Sequence, residues 1–112
     1  MKIDNIYNEY DKIFASNKMP FIKCKTCDKA YYYPRNVCPF CGSSNIEIMR
    51  SSGTGEIYSF TEFKGGFYGI IKFPEGFCAY MDIDGDNIVI GRNIIIKFLE
   101  IDGKILPYAF VD

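Results

Sequence analysis

Apolar residues at Ile3, Ile6, Tyr7, Tyr10, Ile13 and Phe14 recur at three- and four-residue spacing, which predicts an amphipathic helix from about Asp4 to Ala15. The stretch Asn17 to Pro20 ends it. Its apolar stripe either packs on the chain's own domain or docks on a partner, since periodicity does not say what covers a face. From Phe21 to Arg50 the runs shorten into a strand leading to Cys24, a second through the segment AYYYP, and a third near Ile46 to Met49, with a cysteine pair at each intervening turn. Ser51, Ser52, Gly53 and Gly55 then read as a hinge.

Beyond the hinge the period becomes two. Candidate strands are Gly55 to Glu62, Phe67 to Phe73, Phe77 to Ile83, Asn87 to Ile90, Asn93 to Ile101 and Lys104 to Val111. In the third, Phe77, Ala79, Met81 and Ile83 fall on one face, opposite Cys78, Tyr80 and Asp82. Asp84-Gly85 and Asp102-Gly103 stand between apolar runs and predict tight hairpin turns, hence consecutive antiparallel strands. So many short strands in so little chain predict a small closed or partly closed barrel of the OB type. The expected fold is mostly β: an N-terminal helix (residues 1–20), a four-cysteine ribbon (21–50) and an OB-fold-like antiparallel barrel (55–112).

The chain has 112 residues, 48% of them apolar and 17% aromatic, enough for one modest core and unlike a disordered chain. No window is long and apolar enough for a membrane span, and acidic residues stand near the N-terminus where a signal peptide would be apolar, so a cytoplasmic protein is expected. The net charge of -1 is uneven: residues 1–54 hold eight Lys/Arg against five Asp/Glu, and residues 55–112 five against nine. Four thiolates around Zn(II) would bring the first half near neutral, which argues against a nucleic-acid partner.

Cys24-x-x-Cys27 and Cys38-x-x-Cys41 are separated by ten residues, the spacing at which two knuckle turns each present two sulfurs to one tetrahedral ion. Two copies with strand-like flanks do not fit a thioredoxin-type redox pair, which comes singly before a helix. Four sulfur ligands leave no open position, so one structural Zn(II) per chain is expected, and its binding is the folding free energy of the module. Gly42 allows the turn after the second pair; Asp28 holds the equivalent place after the first and needs a left-handed backbone.

Catalytic chemistry is thinly supplied. The chain has no histidine, leaving carboxylates, lysines or the fifth cysteine, Cys78, as base or nucleophile. Cys78 is expected as a small residue packed against the barrel. Asp82 to Asp86 alternates carboxylates but has Asn93 at the twelfth position, so a turn explains it better than a calcium loop. Lys64-Gly65-Gly66 could meet a phosphate or a CoA pyrophosphate, but reads more simply as a turn joining two strands. Tyr31, Tyr32, Tyr33, Phe63, Phe67, Tyr68 and Phe77 could stack on single-stranded nucleic acid; with a negative barrel half they are better placed in core or interface.

The segments FIKCKTCDKAYYYPRNVCPFCGSS, SSGTGEIYSFTEF and FPEGFCAYMDIDGD resemble, in order, the thiolase-associated family of small proteins that join a rubredoxin-like zinc ribbon to an OB-fold domain. Asp28 departs from that family's glycine, and the region after Asp84 is short. The resemblance implies a non-catalytic scaffold in an acyl-CoA context. An archaeal member bridges acetoacetyl-CoA thiolase and hydroxymethylglutaryl-CoA synthase, channelling an intermediate toward the mevalonate pathway. It also implies as partners those two enzymes, or another thiolase-fold enzyme, and CoA or acyl-CoA at the barrel. Two other readings are a free-standing acyl-CoA-binding module and a nucleic-acid-binding ribbon with an OB fold.

Overall fold

In the computed structural model, which describes residues 1–111, the helix α1 runs from Ile3 to Ala15 and buries Ile6, Tyr10 and Ile13, the inward members of the predicted stripe. It packs on its own chain. Asn17, at φ 58°, ends it: the Lys18 amide donates to the Ile13 carbonyl (3.1 Å) and the Asn17 amide to that of Phe14 (2.9 Å), the paired bonds of a Schellman cap. The Tyr10 hydroxyl donates to the Tyr32 carbonyl and so ties the helix to the cysteine-bearing segment.

A three-stranded antiparallel sheet comes next, built from β1 (Pro20–Cys24), β2 (Ala30–Tyr31) and β3 (Ile46–Arg50), with β1 central. The second strand is shorter than AYYYP suggested, because pairing with β1 covers only Ala30 and Tyr31. Five strands then close a barrel: β4 (Thr54–Phe63), β5 (Gly66–Lys72), β6 (Cys78–Gly85), β7 (Asn93–Ile101) and β8 (Lys104–Val111), in the order β4-β5-β6-β8-β7 and back to β4. That order, with β6 and β8 parallel, is the OB arrangement. The last residue of the expected barrel, Asp112, lies outside the described residues.

Two expectations fail here. Asn87 to Ile90 is not a strand: Asn87 sits at φ 56°, Val89 and Ile90 face outward, and the Arg92 amide turns back to the Val89 carbonyl (3.2 Å). This segment carries the chain across the barrel end from β6 to β7. Asp84-Gly85 is not a hairpin turn either, since it ends β6 beside the parallel strand β8. Gly85 is needed for close approach: a Cβ there would lie 2.5 Å from the Val111 carbonyl oxygen. The other pair, Asp102-Gly103, is the expected hairpin turn, with φ of 52° and 80°.

The barrel core holds Ile57, Ile71, Phe73, Phe77, Met81 and Ile94, and it continues into the ribbon through Met19, Phe21 and Ala30. Phe77 stacks on Phe73 (4.3 Å between centroids) and on Phe21 of β1 (4.7 Å), so one aromatic column crosses the boundary. The predicted hinge is fastened. Ser51 is buried, its amide donates to the Met19 carbonyl (2.7 Å), and the Glu75 carboxylate accepts from the Ser51 hydroxyl (3.0 Å) and the Ser52 amide (2.7 Å).

Candidate metal centre and neighbouring surfaces

Each cysteine pair sits on a turn of the same construction. The Asp28 amide donates to the Cys24 carbonyl (2.9 Å) and the Gly42 amide to the Cys38 carbonyl (2.8 Å), with Asp28 at φ 66° and Gly42 at φ 78°. The left-handed backbone expected at Asp28 is present, and Lys23 holds the Asp28 carboxylate at 3.2 Å. Amides also point at sulfur: Cys27 N–H to the Cys24 sulfur (3.5 Å) and Phe40 N–H to the Cys38 sulfur (3.4 Å). A hydroxyl pair, Thr26 and Ser43 at 2.8 Å, joins the two turns.

The turns face each other so that the sulfurs of Cys24, Cys27, Cys38 and Cys41 all lie within 4.8 Å of one another. The Cys24–Cys41 and Cys27–Cys38 separations are each 3.6 Å. Those separations are far beyond a disulfide bond of about 2.05 Å. They match the edge of roughly 3.8 Å that a tetrahedron with Zn–S bonds of about 2.3 Å requires. The donor set therefore fits Zn(II). Four sulfurs this close cannot all ionise without a cation, and the thiols respond unequally. The Cys27 amide draws the Cys24 thiol down to about 6 against the opposing effect of burial. At Cys41 the Ser43 amide pulls downward, but burial and the three other sulfurs push the thiol up to about 12.

The other sequence candidates scatter. Cys78 is exposed on the outer barrel face, not packed against the barrel, because it alternates with the buried Phe77 and Ala79. Lys64 and Gly65 form the β4–β5 turn, with the Lys64 ammonium over the Phe63 ring (5.4 Å). Asp82 and Asp84 lie within β6 and Asp86 comes just after it. Of the aromatic set, Tyr31 and Phe77 are buried and Tyr32 and Phe67 pack against the two cores, whereas Tyr33, Phe63 and Tyr68 face outward. Among the described residues no helix is long and apolar enough to cross a membrane.

A groove of about 580 Å³, which no sequence motif marks, lies over the adjoining ends of β4, β5 and β7, lined by Gly55, Lys72, Phe73, Pro74, Ile94 and Ile95 among others. Its lining comes from three strands remote in sequence, so only the folded chain brings it together.

Residues 15–47 match the family model described as the ChsH2 rubredoxin-like zinc ribbon domain. Those residues, a span that holds all four cysteines, are similar to that zinc ribbon. The ribbon and barrel together superimpose on a solved structure titled Ltp2-ChsH2(DUF35) aldolase, with TM-score 0.78 and 20% identity over 93% of this chain and 92% of that one. A DUF35-family protein of unknown function from Sulfolobus solfataricus gives TM-score 0.69 and 19% identity over 94% and 84%. A curated relative, the probable enoyl-CoA hydratase alpha subunit of Thermomonospora curvata, is 25% identical over 100 residues, 79% of this chain and 31% of that protein. The chain thus spans about a third of that relative's length. The expected rubredoxin-like ribbon followed by an OB-fold-like barrel is borne out.

Proposed function

We propose that this chain is a non-catalytic accessory subunit of an acyl-CoA-processing enzyme, its ribbon closed by one structural Zn(II) on Cys24, Cys27, Cys38 and Cys41. The observation that carries this reading is the sulfur set. Its four members lie within 4.8 Å of one another, so zinc bound by all four would cross-link the two turns and have no position left for a substrate or an activated water. The chain's own part is to hold the sulfurs in place: left-handed residues shape the turns, and amides from Cys27 and Phe40 stabilise thiolate charge. The sequence, which lacks histidine, supplies no second constellation for acid–base chemistry.

The name of one similar protein, an enoyl-CoA hydratase alpha subunit, supports the acyl-CoA setting, and that of the other, an Ltp2-ChsH2 aldolase, supports an enzyme partner. In its most specific form the proposal is a scaffold that bridges acetoacetyl-CoA thiolase and hydroxymethylglutaryl-CoA synthase. Affinity capture from native cells in gentle salt should recover one or both of these enzymes. Recovery of a different acyl-CoA enzyme would keep the accessory role and discard this pair; turnover of an acyl thioester by the purified chain alone would end the non-catalytic reading. A second reading, direct acyl-CoA binding, is favoured by the apolar groove with Lys72 at its side, and calorimetry of the isolated protein with CoA and acyl-CoA tests it.

A further inference from the structure

The outer face of β5 and β6 is unlike the rest of the barrel surface. Pairing places Asp82 directly opposite Tyr68 and Tyr80 directly opposite Ile70. Tyr68 and Tyr80 lie diagonally across the two strands with near-parallel rings, 6.1 Å between centroids at 13°. The ribbon adds Tyr33, whose phenol is close enough to Tyr68 to act on it electrostatically. Burial first, then Tyr33, Asp82 and Tyr80, raise the Tyr68 phenol above its usual range. All three rings stand open to solvent, at 54% for Tyr33, 44% for Tyr68 and 51% for Tyr80.

The Asp82 carboxylate has no lysine or arginine nitrogen within 4 Å among the described residues. The nearest cation by register on these two strands, Lys72, is opposite Cys78, at the far end of β6 from Asp82. The carboxylate repels phosphate, and together with the aromatic rings beside it attracts a planar cation. Guanidinium does both things the surface asks: it stacks on a tyrosine face and offers a two-pronged donor to a carboxylate. Tyrosine-rich patches with charged members are also typical of the residues that dominate protein interfaces.

We infer that the outer β5–β6 face around Tyr68, Tyr80 and Asp82 is a docking surface for an arginine-bearing segment of a partner protein. This deepens the accessory-subunit reading by stating what the partner presents, and it rests on that reading; a titration needing no partner separates the two. The probe is a blocked peptide, acetyl-Gly-Arg-Arg-Gly-amide, added to the isotope-labelled full chain and followed by amide chemical shifts. Shifts should concentrate at residues 33, 68, 70, 80 and 82, and fade with salt. The same peptide with citrulline, which keeps the shape without the charge, should give none.

Asp82→Asn should weaken the peptide about threefold, the scale of one exposed ion pair. Tyr80→Ala should do the same by removing a stacking ring. Glu100→Gln, an exposed acid on β7, should change nothing. The inference is overturned if the shifts spread over the barrel's other acids, if citrulline binds equally, if Asp82→Asn leaves the affinity unchanged, or if a single-stranded oligothymidine shifts this face instead. Capture of an acyl-CoA enzyme from cells while this titration fails would leave the accessory role standing and remove only the arginine surface.

Discussion

The ribbon and the barrel reach stability by different routes. Under the ribbon the buried cluster is Ile6, Tyr10, Ile22, Cys24, Tyr31 and Cys38: two members are thiols and two are lent by α1. Its third strand buries no residue fully. The barrel has closed its sheet on itself, and Ile57, Ile71, Ala79, Met81, Ile83, Ala109 and Val111 alternate inward around it. Closure leaves a small sheet with a shared interior and pairs most of its strand edges, whereas three short strands enclose too little apolar area to stand alone. The ribbon therefore needs what the barrel does not: a cross-link from within, a helix on one face and a neighbour on the other.

The largest expected effect tests that difference directly. Removing metal with a chelator, or replacing Cys38 by serine, should take away a binding free energy of about 10–16 kcal/mol, which for so small a module is its folding free energy. Amide resonances of the cysteine turns should collapse toward random-coil positions while those of the barrel strands stay dispersed. If the barrel resonances collapsed with them, the two regions would be one cooperative unit and the contrast would be lost.

Next in size is Phe77→Ala. This ring is 2% exposed and stacks between Phe73 and Phe21, so the substitution opens a cavity at the boundary as well as in the barrel. A loss of about 3–5 kcal/mol in denaturant unfolding is expected. Bound zinc should remain stoichiometric by elemental analysis, because the column belongs to the barrel cluster whereas Cys24 and Cys38 belong to the other. Tyr10→Phe should cost less, about 1–3 kcal/mol, by leaving the carbonyl of Tyr32 without its donor. Its signature is local: faster amide exchange in α1 and the ribbon, with barrel exchange unchanged.

The same contrast governs what the sequence could show. The ribbon was legible because its chemistry is local: two C-x-x-C turns name four residues, and Asp28 and Gly42 name the left-handed position after each. The strands of the barrel were legible for the same reason, since alternation such as Phe77 to Ile83 is a property of a few neighbouring residues. What failed was non-local. Asp84-Gly85 looks like a hairpin turn until β8 arrives in parallel beside it, and Asn87 to Ile90 looks like a strand until the chain must cross the barrel end. The groove between β4, β5 and β7 and the pairing of Tyr68 with Asp82 depend on register, which no stretch of sequence displays alone.

The smallest effect concerns the seam between the two regions. Burial raises the Glu75 carboxyl, but hydrogen bonds from Ser52, its own amide and Ser51 outweigh that and leave it below its ordinary value of 4.5. A folded-state value that is depressed contributes stability above the unfolded value, and that contribution is lost as pH falls through the folded one. The loss should therefore appear only below about pH 4, given an unfolded carboxyl near 4.3. The Ser51 hydroxyl, which donates to one carboxylate oxygen, also accepts from the Gly53 amide (3.1 Å), and the Ser52 amide donates to the other oxygen. Glu75→Gln removes the charge and keeps one acceptor oxygen for these donors. Because the group is partly open to solvent, the expected cost is only about 1 kcal/mol at neutral pH. Stability curves of the two proteins should differ at pH 7 and converge in acid. Parallel curves would mean that the charge of Glu75 does not hold the linker, and the seam would then rest on the Phe21–Phe77 column and the core that Met19 and Ala30 share with the barrel.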